Sequence, residues 1–417
     1  MANTSLTADI LTRESLLILE NDLGVLGSFH RPMDEEFQKS VNGYKVGSTV
    51  SIRRPADFTV RTGAVMDVQD VVEGKVAMTI DTQKGIDFEF TSEELTMDMD
   101  NLKERVIKPA MSSLVNNIAS DALGNFYKYT YNWAGTAGQD INSFSDFIKG
   151  PERLSELATP MQQRMATLGT TDYYAMVGAQ AGLGASDKLV GDAWKSGMLT
   201  GLGGMEAIHM SQVVPVHTNG AAVDTSAVTD GSSQEVTYET AKDTWTQTLV
   251  TDGWGTSQTL TAGSVFTIAD VYRVNPKTKV STGKLQQFTV VSDVTTNASG
   301  SADTNITISP PIIVSGPHQT VTYSGDFDGN AIDLVGAVST AYTQNLCYHK
   351  NAYALAFAPL EMPQGAVNGS RQSSNGISVR VIPVYDGIND VSKWRLDVLY
   401  GKKVIDPRIA TRLSGTS

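Results

Sequence analysis

Cys347-x-His349 is a lone cysteine–histidine pair in the sequence, and the chemistry it could serve is a thiolate–imidazole zinc site. Such a site needs further ligands. His30, His209, His217 and His318 show no spacing that would set two of them on one helical turn, so no metal is expected. Asp326-Phe327-Asp328-Gly329-Asn330 opens like a calcium loop, but Ala331 replaces the required glycine and Ala337 stands where the bidentate Glu belongs. It reads as a turn. Gly201-Leu202-Gly203-Gly204 could cradle a phosphate only with the Lys-Ser/Thr of a P-loop, which is missing, so it too reads as a turn. A G-x-S-x-G nucleophile elbow does not occur. Asn3, Asn297, Asn305 and Asn368 begin glycosylation sequons, which matter only in a secreted chain. Arg395, Lys402, Lys403, Arg408 and Arg412 make a basic tail that reads as a solvated strand face, with a salt bridge to an acidic neighbour as the alternative. No catalytic residue and no cofactor is expected, and an enzyme finds no support.

Composition narrows the function further. The 417 residues have room for two or three domains, and 41% hydrophobic content supplies ordinary cores. With 45 acidic against 32 basic residues the net charge is -13, which opposes dedicated binding to nucleic acid or to anionic lipid. The single cysteine excludes an intrachain disulfide and fits a reducing cytoplasm. No apolar run approaches the roughly 20 residues of a membrane span, and the first residues lack the pattern of a signal peptide. The chain is expected to stay where it is made, with no membrane partner.

The elements come next. Leu6, Ile10, Leu11, Leu16, Leu17, Leu19 and Leu23 recur at near-helical spacing before Gly24, which predicts an amphipathic N-terminal helix. It either folds on its own domain or serves as an arm on a neighbour. Over residues 44–90, Val50/Ile52, Phe58/Val60, Val76/Met78/Ile80 and Ile86/Phe88/Phe90 alternate with polar residues, which predicts a long β-ribbon. A ribbon of that length must lean on something, either its own core or another chain. Ser92 is a candidate N-cap, and Leu102, Val106, Ile107, Met111, Leu114, Val115, Ile118, Ala122 and Leu123 give a helix of about thirty residues, roughly 45 Å long. Pro109 either kinks it or starts a fresh helix. A further helix opens at Pro151 and carries Leu154, Leu157, Met161, Met165 and Leu168 up to Gly169. Gly191-Asp192-Ala193-Trp194 reads as a turn.

From about 221 to 331, helical spacing gives way to short β runs such as EVTYE, TWTQTLV, SVFTIADVYRV, LQQFTVV, NITISPPIIV and QTVTY. That predicts an all-β module inserted into another domain, with VVPVHTNG and NLCYHKNAYALAF as halves of the interrupted α/β host. Helix-compatible sequence returns at Val335 to Tyr342, and NLCYHKNAYALAF looks like a short helix leading into a strand. The closing SVRVIPVYDGINDVSKWRLDVLYGKKV reads as two strands around an Asp386-Gly387 turn.

Six segments in this order, the N-terminal helix, the ribbon containing YKVGSTVSIRRP, the long helix at ELTMDMDNLKERVIKPAMSSLVNNIASD, the PERLSELATP helix, the GGMEAIHMSQVVPVHTNG turn and the closing strands, resemble the major capsid proteins of tailed double-stranded DNA bacteriophages, and the inserted VYRVNPKTKVSTGKLQQFTV is also similar to the insertions of such coats. The likeness is to the short-tailed type whose coat carries an inserted β domain. It implies an α+β chain with the capsid fold first known from phage Hong Kong 97. In that scheme 1–40 would be an N-terminal arm, 41–90 an extended β loop, and 91–165 a peripheral domain with its spine helix and strands returning at about 378–400. An axial domain would take 166–220 and 335–377, an inserted β-barrel-like domain 221–334, and a C-terminal segment 401–417. The resemblance implies pentamers and hexamers of an icosahedral shell around the phage double-stranded DNA, held without sequence-specific binding. It also implies a scaffolding protein during assembly, a portal protein at one vertex, and assembly in the host bacterial cytoplasm into a virion capsid. The subunit contacts expected from charged residues on the loop and at the helix start are Arg53, Arg54, Arg61, Lys75, Lys84, Glu93, Glu94 and Arg105. Two alternatives stand beside this reading: an encapsulin-like protein compartment, against which the β insertion argues, and a surface β-rich adhesin, against which the missing signal peptide argues.

Overall fold

The computed structural model describes residues 8–21, 24–30, 40–41, 44–45, 49–66, 68–91, 106–181, 199, 201–222, 224–297, 302–323, 325–363, 365, 369–374 and 377–416. The chain divides into two compact units, one of Met1–Val50, Met78–Ala122 and Tyr353–Lys403, the other of Ser51–Ala77, Leu123–Ala352 and Val404–Ser417. The described elements are mostly strands with a few helices, the α+β class that the resemblance implied.

The first unit is organised by the 14-residue strand Val391–Val404. Trp394, Leu396, Val398 and Tyr400 fall on its buried face, as the two-residue period of a strand dictates. Thr82–Thr91 lies antiparallel along it from Thr91↔Val391 to Thr82↔Tyr400. Ile377–Asp386 pairs with it from Arg380↔Asp397 to Asp386↔Val391, and Ser370–Ser374 and Tyr353–Ala358 complete the sheet. The turn falls at Asp386-Gly387, where the Asp386 carboxylate accepts from the Ile388 amide at 3.1 Å and the Asn389 side chain at 2.9 Å. The helix Ala8–Asn21 packs on strands Ser370–Ser374 and Ile377–Asp386, with Leu16 and Leu19 buried. Of the two homes left open for it, the structure shows it on its own unit.

The second unit holds two large sheets, with short two-stranded ones beside them. One has five strands in the order Trp133–Ala134, Ala410–Leu413, Asn345–His349, Arg164–Gly169, Ala207–Ser211. Its core joins Phe147, Leu154, Leu168, Met176, Ile208 and Cys347 with the helices Phe144–Phe147, Lys149–Glu156 and Thr170–Ala181. The other has seven strands centred on Val265–Val274 and Ser281–Val290, around Leu249, Trp254, Phe266, Phe288, Ile306, Ile308 and Phe327. Full burial of each such side chain stabilises by about 1.5–3 kcal/mol. Val216–Thr218 pairs antiparallel with Ala341–Thr343, so the chain enters and leaves the seven-stranded region at one place.

Five expectations change. NLCYHKNAYALAF starts as the strand Asn345–His349, not as a helix, because it lies between Arg164–Gly169 and Ala410–Leu413 with all five residues buried. Residues 335–342 form turns and the start of a short strand, with Gly336 at φ 89°. The helix opening before Pro151 ends at Glu156, since Ala158 takes φ 54° and Pro160 lacks an amide donor; Met161 is exposed and Met165 and Leu168 lie on a strand. In EVTYE the end is the short helix Tyr238–Ala241. The ribbon is shorter than its pattern: Thr49–Arg53 pairs with Lys75–Thr79, the described residues of 54–74 have no strand, and Thr82–Thr91 pairs with Val391–Val404. The long helix is described as Lys108–Tyr129, about 33 Å at 1.5 Å per residue, with Pro109 in its first turn; its Ser92 start and the 191–194 turn lie outside the described residues.

Candidate assembly surfaces

The segment 54–74 is a closed loop with a fixed base and an apolar exterior. At its base the Arg54 amide donates to the Gly74 carbonyl at 2.9 Å, and the Lys75 amide donates to Asp243 at 2.9 Å. The Arg54 guanidinium donates to the carbonyls of Ile405 at 2.8 Å and Lys242 at 3.1 Å, and lies 5.5 Å over the Trp245 ring. Gly74 is required there, because a Cβ would collide with the Lys242 carbonyl. Higher up, Gln69 clamps the loop: its Oε1 accepts from the Thr59 amide at 2.9 Å, and its Nε2 donates to the Thr59 carbonyl at 2.7 Å. On this loop Phe58, Val60, Val65, Met66, Val68 and Val71 are all more than half exposed, Val60 at 92%. Scattered apolar residues on a surface are ordinary, but here six of them fall on one loop. A second exposed set, Val384, Tyr385 and Ile388, lies at the hairpin tip of the long sheet.

The charged residues singled out from the sequence have mixed fates. Arg53 is exposed and pairs with Glu73 at 3.3 Å. Arg61 is exposed and donates to the Gly63 carbonyl. Lys75 is exposed, and its backbone does the anchoring. Lys84 donates to the Asn117 carbonyl at 3.1 Å and faces Asp121 at 3.9 Å; burial lowers its pKa while Asp121 opposes that. Arg54 is buried and committed to carbonyls of its own chain. Glu93, Glu94 and Arg105 lie outside the described residues. The residues that sequence reasoning passed over are Val65, Met66, Val68 and Val71. Their signal was there, as apolar residues set among Asp and Gln without a two-residue period.

The basic tail corrects the expectation of a solvated face. Arg412 is 1% exposed. It donates to the carbonyls of Thr130, Gly263 and Tyr127, each at 2.7 Å, and to Gln344 at 3.1 Å, between the rings of Tyr127 and Trp133. It thus ties the C-terminal strand to the end of the long helix and to the seven-stranded region. Arg408 pairs with Asp57 at 2.7 Å and Asp406 at 2.9 Å. Burial pushes both carboxyls up, but the Arg408 guanidinium outweighs it and holds both below the usual carboxylate range. Lys402 pairs with Asp121, and Arg395 with Asp397 at 2.9 Å. Asp57, Asp121 and the carbonyls that Arg412 reaches are far away in sequence, which is why much of the tail looked free.

Among the described residues, no cluster of His, Cys, Asp or Glu could hold a metal ion. Burial pushes the Cys347 thiol up to about 12, leaving it unreactive. The turn at 326–330 spends its carboxylates on backbone amides: Asp326 accepts from the Asp328 amide at 3.2 Å, and Asp328 accepts from the Gly231 amide at 2.9 Å. No described helix is long and apolar enough to cross a membrane.

A family model described as P22 coat protein, gene protein 5, matches residues 34–415. A major capsid protein of Acyrthosiphon pisum secondary endosymbiont phage 1 is 21% identical over 398 residues, covering 92% of this chain and 93% of its own length. Among solved structures, a chain from Mycobacterium phage Che8 is similar at a TM-score of 0.45 and 11% identity, over 93% of this chain and 89% of that one. The capsid of Ralstonia phage GP4 is similar at 0.42 and 8%, over 94% and 88%. With nearly its whole length matched, the chain belongs to the P22 coat protein family and is a phage major capsid protein, a structural subunit that assembles with copies of itself into a shell.

Proposed function

We propose that the subunit forms the pentamers and hexamers of an icosahedral shell around double-stranded DNA, and that the 54–74 loop is the principal contact it offers a neighbouring copy. The observation that carries this is the exposed apolar set Phe58, Val60, Val65, Met66, Val68 and Val71 on a loop whose base is rigid. A base held by several hydrogen bonds leaves less of the loop to be ordered on contact with a neighbour, which lowers the entropic cost. In this reading 41–90 is the extended loop, 91–165 the peripheral domain, 166–220 with 335–377 the axial domain, and 221–334 the inserted domain. The arm would be 1–40 and the closing segment 401–417. A scaffolding protein directs curvature, a portal protein occupies one vertex, and assembly takes place in the host cytoplasm, without catalysis by this chain. The charge of -13 suits a wall from which packed DNA must later leave.

The test is a paired substitution on the loop, Val60→Asp with Val68→Asp. Both side chains point to solvent in the subunit, so folding stability is expected to change by no more than about 0.5 kcal/mol. Shell yield, read by sedimentation and negative-stain electron microscopy of the chain expressed with its scaffolding partner, is expected to collapse. Normal shells from the double variant would remove the loop from the assembly contacts.

A further inference from the structure

A small cavity of about 40 Å³ lies where Trp245, Arg273, Lys279, His318 and Arg408 converge, all within the second unit. Its volume admits on the order of three water-sized particles. Three of the residues around it contribute buried nitrogens with no hydrogen-bond partner: Trp245 Nε1, Arg273 Nε and His318 Nδ1. All three residues are more than nine-tenths buried. Trp245 Nε1 and Arg273 Nε are obligate donors, and the nearest acid to His318 Nδ1, Asp57, stands 3.6 Å away, beyond a hydrogen bond. The lining carries three formal cations and no Asp or Glu; Arg273 is paired with Glu156 at 2.8 Å and Arg408 with Asp57 and Asp406, which leaves the Lys279 ammonium as the lining charge with no ion pair among the described residues.

Orphaned buried donors are costly, so a site that gathers them has an occupant that accepts hydrogen bonds. Water accepts at most two and must itself donate, whereas a halide accepts from every direction and carries the charge that Lys279 favours. A carboxylate-bearing metabolite or a phosphate monoester is too large for the space.

We infer that this cavity is a binding site for a small inorganic monovalent anion of the chloride class, held by Trp245, Arg273 and Lys279. The ion would sit where Arg408, bonded to Asp57 beside the loop base, meets the seven-stranded region, and would stabilise that junction in the subunit before any shell forms.

The experiment uses the full unassembled chain. Chloride-35 NMR line broadening is measured and competed with bromide, and thermal midpoints are compared in sodium chloride and sodium gluconate at equal ionic strength. Two variants accompany it, Trp245→Phe, which keeps an aromatic ring beside Arg54 and Arg408 but removes the donor, and Lys279→Met, which removes one cation at a partly exposed position. The expected result is bromide-sensitive broadening, with a midpoint about 4 °C or more higher in chloride than in gluconate at saturation. Both effects are expected to fall in both variants. Equal broadening in all three proteins with no chloride-specific rise in midpoint would overturn the inference and leave the cavity to water.

Discussion

Arg412 shows how much a single side chain does here. Its guanidinium satisfies three backbone carbonyls that are otherwise buried, and leaving such acceptors unpaired costs about 1–3 kcal/mol each. Arg412→Leu is therefore expected to destabilise the unassembled subunit by about 3 kcal/mol or more, read as a lower urea midpoint. Two histidines add a pH dependence. Burial holds His217 and His318 down to about 4 from the ordinary 6.5. A depressed histidine pKa means the folded state favours the neutral ring. The stability this contributes is full above 6.5, declines as pH falls, and is gone below about 4. Asp57, Asp121, Asp397 and Asp406, all held below 3.8, add their losses only at more acid pH. Urea midpoints measured between pH 7.5 and 4.5 are expected to fall, and His217→Gln, which can keep the hydrogen bond to Ser264, is expected to flatten that fall. At this scale the sequence was only half legible. A charged residue announces itself, but whether it faces a neighbour or its own core depends on partners such as Ile405, which lies 351 residues from Arg54.

Among the elements, strands with a covered face were legible from alternation alone, as Val391–Val404 and Ile377–Asp386 show. Strands buried on both faces were not. Asn345–His349 and Arg164–Gly169 carry continuous apolar or mixed runs that fit a helix equally well, and only their sheet neighbours decide. The loop at 54–74 was read as ribbon because Phe58 and Val60 continue the alternation, yet their apolar side chains have no inner face to reach. Its anchor makes a sharp test. Gly74→Ala forces a methyl against the Lys242 carbonyl and is expected to destabilise by about 1–3 kcal/mol. Proteolysis within 54–74 of the unassembled chain is expected to quicken as the base loosens; an unchanged cleavage rate would show that the base does not hold the loop.

For the whole molecule, a shell subunit needs surfaces left unsatisfied in isolation and satisfied by copies of itself. Many individually weak contacts add through multivalency and close when their rotations meet a point group. Among the described residues, the exposed apolar sets on the 54–74 loop and at the 384–388 hairpin tip are the ones proposed for that role. The most direct measurement is a cryo-electron microscopy reconstruction of the assembled shell at side-chain resolution. The account predicts Val60, Val65 and Val68 buried against a neighbouring subunit, with the Arg54 and Gly74 base unchanged. A closed shell in which those three side chains still face solvent would contradict it.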